Sequence, residues 1–322
     1  MNTGVIIPIA YPDAYVQYSE GGLQQAVLST IGVGKKGFVK AGHALLLLIE
    51  NKTGKVQYFD FGRYVTPSGH GRVRGEITDK ELEIPIKAKF NSSNELINFE
   101  EIILWLEAHP EKTHGEGKMI ASVCNDINYQ KAYDYLIGLQ EQGSIPYKAF
   151  GNIGSNCSRL VTDALIKGTT NKAIAKILKR NNKFTPSPLG NVKHGAFGKK
   201  MFTIYNGKIE EYTKSIFKDN ISNFFDNSNI PTLSTNKRPK EIDGAQLLEG
   251  IGAAAYFKLE FINNEYVITR YTGSFKQDFQ GVFTVDKSNF DILKNYEFIY
   301  DSNCSYCHIK QNESIYRFDI KK

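Results

Sequence analysis

Two hydrophobic rhythms divide this chain, a helical one in its first half and a strict alternation in its last quarter. His43 to Glu50 is an apolar run that starts at a histidine and ends at a glutamate. Asn51-Lys52-Thr53-Gly54 then supplies turn residues, and Lys55 to Phe61 is apolar again, so the pattern predicts a β-hairpin. Glu81 to Phe90 predicts a further strand. Ile102, Ile103, Trp105 and Leu106 predict a helix over Phe99 to Ala108, stopped at His109-Pro110. A short buried strand is expected over Lys118 to Cys124. A helix then follows over Tyr129 to Gln142, with Ala132, Tyr135, Leu136 and Leu139 on one face. Cys157 to Ile166 repeats the helical spacing at Leu160, Val161, Ala164 and Leu165, and Lys172 to Arg180 forms a basic helix. Leu23 to Ile31 has helical spacing too and ends in the glycine-rich run Gly32 to Gly37.

From Asn181 to about Ala245 the texture changes to Asn, Ser, Lys and Pro. This predicts a connecting region that packs only in part, with short elements near Met201 to Tyr205 and Lys208 to Phe217. Beyond Ala253 alternation rules: Tyr256 to Phe261, Tyr266 to Tyr271, Gln280 to Val285, Tyr296 to Tyr300, Cys307 to Gln311 and Ile315 to Ile320 read as strands. The expected organisation is α+β: a domain over 1–180, a connecting region over 181–245 and a small antiparallel β module over 246–322.

Composition narrows the classes. A chain of 322 residues can bury a sizeable core, and 41% hydrophobic with 23% charged residues excludes a disordered or coiled-coil protein. Apolar runs such as Ala44 to Ile49 and Ile251 to Phe257 are too short for a membrane span. The opening residues have no basic segment followed by a long apolar one, so no secretory signal is read and a cytoplasmic protein is expected. The net charge of +6 is dispersed over short clusters at Lys35-Lys36, Lys179-Arg180 and Lys237-Arg238, which argues against a nucleic-acid surface. Four cysteines in a chain of this length do not make a disulfide scaffold, so each is a core thiol, a metal ligand or a nucleophile.

Three short motifs compete to carry chemistry. Gly32-Val33-Gly34-Lys35-Lys36-Gly37 has dinucleotide-loop spacing, but a helical segment precedes it and a strand follows, the reverse of the required context. A flexible turn accounts for it. Cys304-Ser305-Tyr306-Cys307-His308 has the spacing of a haem-attachment motif, yet it sits in strand texture without a second ligand pair. It reads as two structural thiols, with a metal or redox role as the rival. The third motif is Gly151-Asn152-Ile153-Gly154-Ser155-Asn156-Cys157, a polar loop that delivers a thiol to the start of an amphipathic helix. Unpaired amides and the helix dipole there favour a thiolate and can receive an oxyanion. Such a nucleophile needs an imidazole partner, and His43, at the mouth of a core strand after Gly42, is the candidate. Taken singly, the two residues read as a capped structural histidine and a core thiol; taken together, they read as a nucleophile and its partner. A glycine-rich loop carrying Arg63, His70, Arg72 and Arg74 offers guanidinium groups for an acidic substrate group, or is a solvated loop.

Gly42-His43-Ala44-Leu45-Leu46-Leu47-Leu48-Ile49 and Asn156-Cys157-Ser158-Arg159-Leu160-Val161 together resemble the permuted branch of the NlpC-type papain-like hydrolases, which includes lecithin:retinol acyltransferase. In that branch the histidine strand precedes the cysteine helix. The resemblance covers roughly residues 40 to 168 and implies a permuted papain-like core, an antiparallel sheet with packed helices. It also implies a third polar residue on the strand after the histidine strand, for which Asp60 is the counterpart, with Tyr58 on the same face as a substrate-side residue. The whole chain is also similar to a bacterial family of unassigned activity that shares the Gly62-Arg63-Tyr64 and Gly69-His70-Gly71-Arg72 loop. The function expected is a cysteine hydrolase or acyltransferase acting on an amide, ester or thioester bond of a small-molecule, peptide or lipid substrate, without a cofactor. Its rival is a non-catalytic binding module that holds a partner through the arginine loop and the β module.

Overall fold

Strands that are apolar on both faces must lie inside a sheet, with neighbours on both edges to pair their backbone groups. The computed structural model describes residues 1–17, 38–148, 153–182, 186–226, 228, 230, 231 and 242–321. The chain is α+β, with antiparallel sheets and seven α-helices among the described residues. It divides into two compact units. The first comprises Met1–Phe61, Ile84–Gly138 and Lys148–Leu233; the second comprises Gly62–Glu83, Leu139–Tyr147 and Ser234–Lys322. The helix expected at Leu23 to Ile31 and the Gly32 to Gly37 run lie outside the described residues.

In the first unit the strands run Lys208–Glu211, Met201–Tyr205, Met119–Ser122, Gly4–Tyr11, His43–Glu50, Val56–Gly62, and Cys124–Ile127 also pairs with Gly4–Tyr11. The central ladder is unbroken, from Gly4 opposite Glu50 to Tyr11 opposite His43. Val5, Ile7, Ile9 and Leu45 to Ile49 have no exposed surface, so the pair forms the core of the sheet. The predicted hairpin is present. Gly54 takes φ +70° at its turn, and a Cβ there would meet the Ala88 carbonyl oxygen at 2.4 Å. The helix Cys157–Gly168 packs on strand His43–Glu50, and the helix Pro188–Ala196 packs on strand Gly4–Tyr11.

Two expectations need correction. Glu81 to Phe90 is not a strand: Lys80–Leu82 is a 3₁₀ turn and the following residues run on outside any ladder. Pro85 has no N–H to give to one. The stretch expected to be a loosely packed connection instead supplies an edge of the first sheet. Met201–Tyr205 and Lys208–Glu211 form a hairpin that pairs with Met119–Ser122. Ser187 caps the helix Pro188–Ala196, whose Leu189 and Val192 are fully buried. Its apolar period is only two turns long and is diluted by Gly and Pro, which hides it in a compositional reading. No helix among the described residues is long and apolar enough to cross a membrane.

The second unit contains a seven-stranded antiparallel sheet in the order Ala245–Leu248, Ala255–Ile262, Glu265–Thr272, Gln277–Val285, Ser314–Ile320, Tyr306–Gln311, Glu297–Ile299. Its two edges nearly close into a barrel. The Gln246 amide bridges them, donating to the Tyr296 carbonyl at 3.0 Å and accepting from the Phe298 amide at 2.7 Å. Inside, Phe290 meets Tyr266, Tyr296, Tyr316 and Phe318 edge-on at centroid distances of 5.1 to 5.9 Å. Beside this aromatic core lies a buried charge cluster. Asp79 accepts two hydrogen bonds from Arg72, each of 2.7 Å, and one from Arg270 at 2.9 Å. Arg270 also pairs with Glu81 at 2.7 Å and Asp278 at 2.9 Å.

Burial would raise the Asp79 carboxyl, but the charges and hydrogen bonds of Arg72 and Arg270 hold it well below the carboxylate range. A depressed carboxyl stabilises the folded state above the unfolded pKa of about 3.9, and that contribution fades only as pH falls toward the folded value. Asp79→Ala should therefore destabilise the second unit by about 3–5 kcal/mol, because it strands Arg72 without its carboxylate. Urea denaturation at pH 7 measures this, and the deficit should shrink as the pH is lowered below about 4.

Candidate active site

The site is assembled from the start of one helix and the ends of two strands, all in the first unit. Asn156 is the N-cap of the helix Cys157–Gly168. Its Oδ1 accepts from the Arg159 amide at 2.9 Å, and its Nδ2 donates to the Lys148 carbonyl at 2.9 Å. The side chain thus ties the helix start to the Lys148 backbone. Cys157 follows as the first helical residue, 8% exposed, where the amides of the first turn lack partners within the helix. The backbone amides of Ser158 and Ala44 are both directed at its sulfur.

A second support lies behind the same turn. Asn191 Nδ2 donates to the Ser158 carbonyl at 2.7 Å, and the Thr162 hydroxyl donates to that carbonyl at 3.0 Å. Asn191 is 2% exposed and comes from the helix Pro188–Ala196. Sequence reasoning missed it because its helix was not recognised. The available signal was a polar residue between Leu189 and Val192.

Gly42 and His43 set the other wall. Gly42 takes φ +76°, and a Cβ there would lie 3.1 Å from the Tyr11 carbonyl oxygen and 3.2 Å from Pro188 Cγ, so glycine allows the close approach. Asp60 stands opposite Leu45 in the antiparallel ladder, which makes it the diagonal neighbour of His43 on the same face. Its Oδ2 is 3.9 Å from His43 Nε2. That is too long for a hydrogen bond and short enough for charge attraction in a buried site. His43 Nε2 is buried without a hydrogen-bond partner. Tyr58, two residues before Asp60, donates its hydroxyl to the same Oδ2 at 2.8 Å.

The electrostatics of the pair run in opposite directions. Burial alone would lower the His43 pKa, but the nearby Asp60 carboxylate and the Cys157 sulfur raise it to about 9. Burial alone would raise the Cys157 thiol. The imidazole of His43 and the amides of Ala44 and Ser158 outweigh it and bring the thiol below its ordinary value. The other three cysteines go the opposite way: burial pushes Cys124 up to about 11 and Cys307 up to about 12, and Cys304 also rises.

The remaining sequence candidates belong to the second unit. Arg63, Arg72 and Arg74 are all buried. Arg72 is held by Asp79 and by the Tyr64 carbonyl at 2.8 Å, Arg74 lies 3.8 Å over the Tyr64 ring, and Arg63 lies 4.8 Å over Tyr147. His70 Nδ1 is 3.1 Å from the Ser68 carbonyl. The carboxylate that Arg72 grips is thus one of the chain's own, and the loop forms an internal clamp rather than a solvated segment. Cys304 and Cys307 are buried free thiols, and no group of three His, Cys, Asp or Glu residues among the described residues is placed to hold a metal.

These shifts make the four thiols distinguishable. Iodoacetamide at pH 6.5 to 7.5, followed by peptide mapping, should label Cys157 well ahead of Cys124, Cys304 and Cys307. His43→Ala should move the onset of Cys157 labelling upward, toward the ordinary thiol range near pH 8.5. Equal, slow labelling of all four cysteines would contradict the geometry.

Residues 6–174 match the type VI secretion system effector TseH-like family, and residues 245–321 match a family described as the DUF6695 C-terminal domain. The crystal structure of the type VI secretion system effector TseH is similar at 18% identity and a TM-score of 0.42, over 65% of this chain and 98% of that one. No curated protein matches the chain. The first match takes in the histidine strand, Asp60 and the cysteine helix and extends over more than half of the sequence. On that ground the chain belongs to the type VI secretion system effector TseH-like family.

Proposed function

We propose that the chain is a cysteine hydrolase or acyltransferase, built on a papain-like core in which the histidine strand precedes the cysteine helix. One observation carries this reading: a single thiol of four is lowered, and its partner imidazole is raised to about 9. Shifts in these opposite directions favour the thiolate–imidazolium pair, the form that attacks carbonyl carbon.

Cys157 Sγ forms a bond to the acyl carbon, and the carbonyl electron pair moves onto oxygen. Amides of the helix's first turn, at its positive end, receive that oxyanion in this reading. Collapse of the tetrahedral species expels the amine, alcohol or thiol, which takes its proton from His43. Asp60 supports the imidazolium by charge from 3.9 Å. Water, or an acceptor in the acyltransferase case, then attacks the thioester with His43 as general base. An effector role, the description carried by the family, suits hydrolysis of a bond in a target molecule. The acyl group belongs to a peptide, a lipid or a small molecule, and no cofactor takes part.

The test is a panel of fluorogenic amides, esters and thioesters, read with intact-mass detection of an acyl adduct. Wild-type protein should turn over at least one class and carry the adduct on Cys157. Cys157→Ala and His43→Ala should each lower turnover by about a thousandfold or more while folding normally. Unchanged turnover in Cys157→Ala would overturn the reading. Binding without any turnover or adduct in the wild type would favour a module that only holds its partner.

A further inference from the structure

One oxygen of Asp60 faces two groups. Oδ2 accepts the Tyr58 hydroxyl at 2.8 Å and looks toward His43 Nε2 at 3.9 Å. Asp60 has no exposed surface and Tyr58 only 1%, and the ladder sets both opposite apolar residues, Leu45 and Leu47. A carboxylate in such a place is driven toward its neutral form unless donors hold its charge.

We propose that Tyr58 is a positioning residue of the thiol site, whose hydroxyl keeps the Asp60 carboxylate ionised and set back from the imidazole, so that Asp60 supports the imidazolium without taking its proton. The proposal rests on the reading of Cys157, His43 and Asp60 as one catalytic set. It replaces the substrate-side role expected for Tyr58 from sequence.

Three features carry it. First, a phenol donates a hydrogen bond without adding a positive charge. An arginine or lysine there would spend the attraction of Asp60 on itself and leave little for His43. Second, residues two apart on a strand share a face at fixed spacing, so the hydroxyl and carboxylate meet without a flexible side chain having to be ordered. Third, Oδ2 is held by Tyr58 at hydrogen-bond length and stands 3.9 Å from Nε2, so the shared oxygen is kept beyond hydrogen-bond range of the proton it would otherwise accept. The largest charge effects on His43 come from Asp60 on the neighbouring strand and Cys157 on the helix, so the route from Tyr58 to the thiol that the geometry shows runs through Asp60.

Tyr58→Phe removes one oxygen and keeps the buried ring. Its pH profile for iodoacetamide labelling of Cys157 should start about one pH unit higher than in the wild type, and the His43 imidazole, followed by NMR, should titrate lower by a similar amount. In an Asp60→Asn background, adding Tyr58→Phe should leave the profile where Asp60→Asn alone puts it. An unshifted profile in Tyr58→Phe, or an equal extra shift in the Asp60→Asn background, would overturn the proposal. If instead wild-type Cys157 shows no early reactivity and His43→Ala changes nothing, the catalytic set itself falls and this proposal with it. Should Tyr58→Phe fail to fold, the wild-type protein decides. A Tyr58 hydroxyl proton that exchanges slowly, and is lost in Asp60→Asn, supports the bond; a freely exchanging one overturns it.

Discussion

A thiolate and an imidazolium inside a protein must be stabilised largely by each other and by fixed dipoles, because little water reaches either: Cys157 is 8% exposed and the His43 side chain 12%. Everything around Cys157 and His43 follows from that requirement. Burial opposes both charged forms, and each is reached only through the other together with Asp60 and two backbone amides. The arrangement needs the start of a helix held against the mouth of a strand with little freedom, since the interaction falls steeply once the groups separate.

That constraint explains which local features are rigid. Gly42 permits a backbone approach that a side chain would block. Asn156 ties the helix start to Lys148, and Asn191 ties the Ser158 carbonyl to a different helix. None of these residues carries charge, and each sets the place of a group that does. Their hydrogen bonds are individually modest, about 1 kcal/mol each, but their geometric effect is larger because the first-turn amides turn with the backbone they hold.

The second unit handles buried charge differently. Arg72, Arg270, Asp79, Glu81 and Asp278 pair with one another in place, beside an aromatic core centred on Phe290. Every strong pairing there is internal, and Arg72 uses both terminal nitrogens on a single carboxylate. In the thiol site the balance is incomplete. His43 Nε2 has no hydrogen-bond partner, and its countercharge sits beyond hydrogen-bond range. Completed networks give rigidity, whereas an incompletely paired imidazole keeps the capacity to give and take a proton.

Strongly periodic elements were legible from the residues alone. The hairpin over His43 to Phe61, the cysteine helix and the six C-terminal strands are all present, because continuous apolar runs and clean alternation leave few other ways to bury their side chains. Cys157 and His43 could be picked out for the same reason: a helix start and a strand mouth are positions that local sequence marks. Asp60 and Tyr58 were named through the family resemblance, since a diagonal neighbour across two strands cannot be read from the residues alone; the ladder is what sets them beside His43. The helix of Asn191 was hidden by Gly and Pro, and only the packing of Leu189 and Val192 shows why it forms. The arginine loop diverges furthest. Sequence proximity to Asp60 suggested a substrate grip, but Arg72 had a nearer carboxylate in Asp79, only seven positions on, and Asp79 a second guanidinium in Arg270, 191 positions on. Local sequence determined which groups carry charge and which segments form elements. The tertiary structure alone decided which charges neutralise each other, because that depends on residues far apart in the chain being brought within a few ångströms.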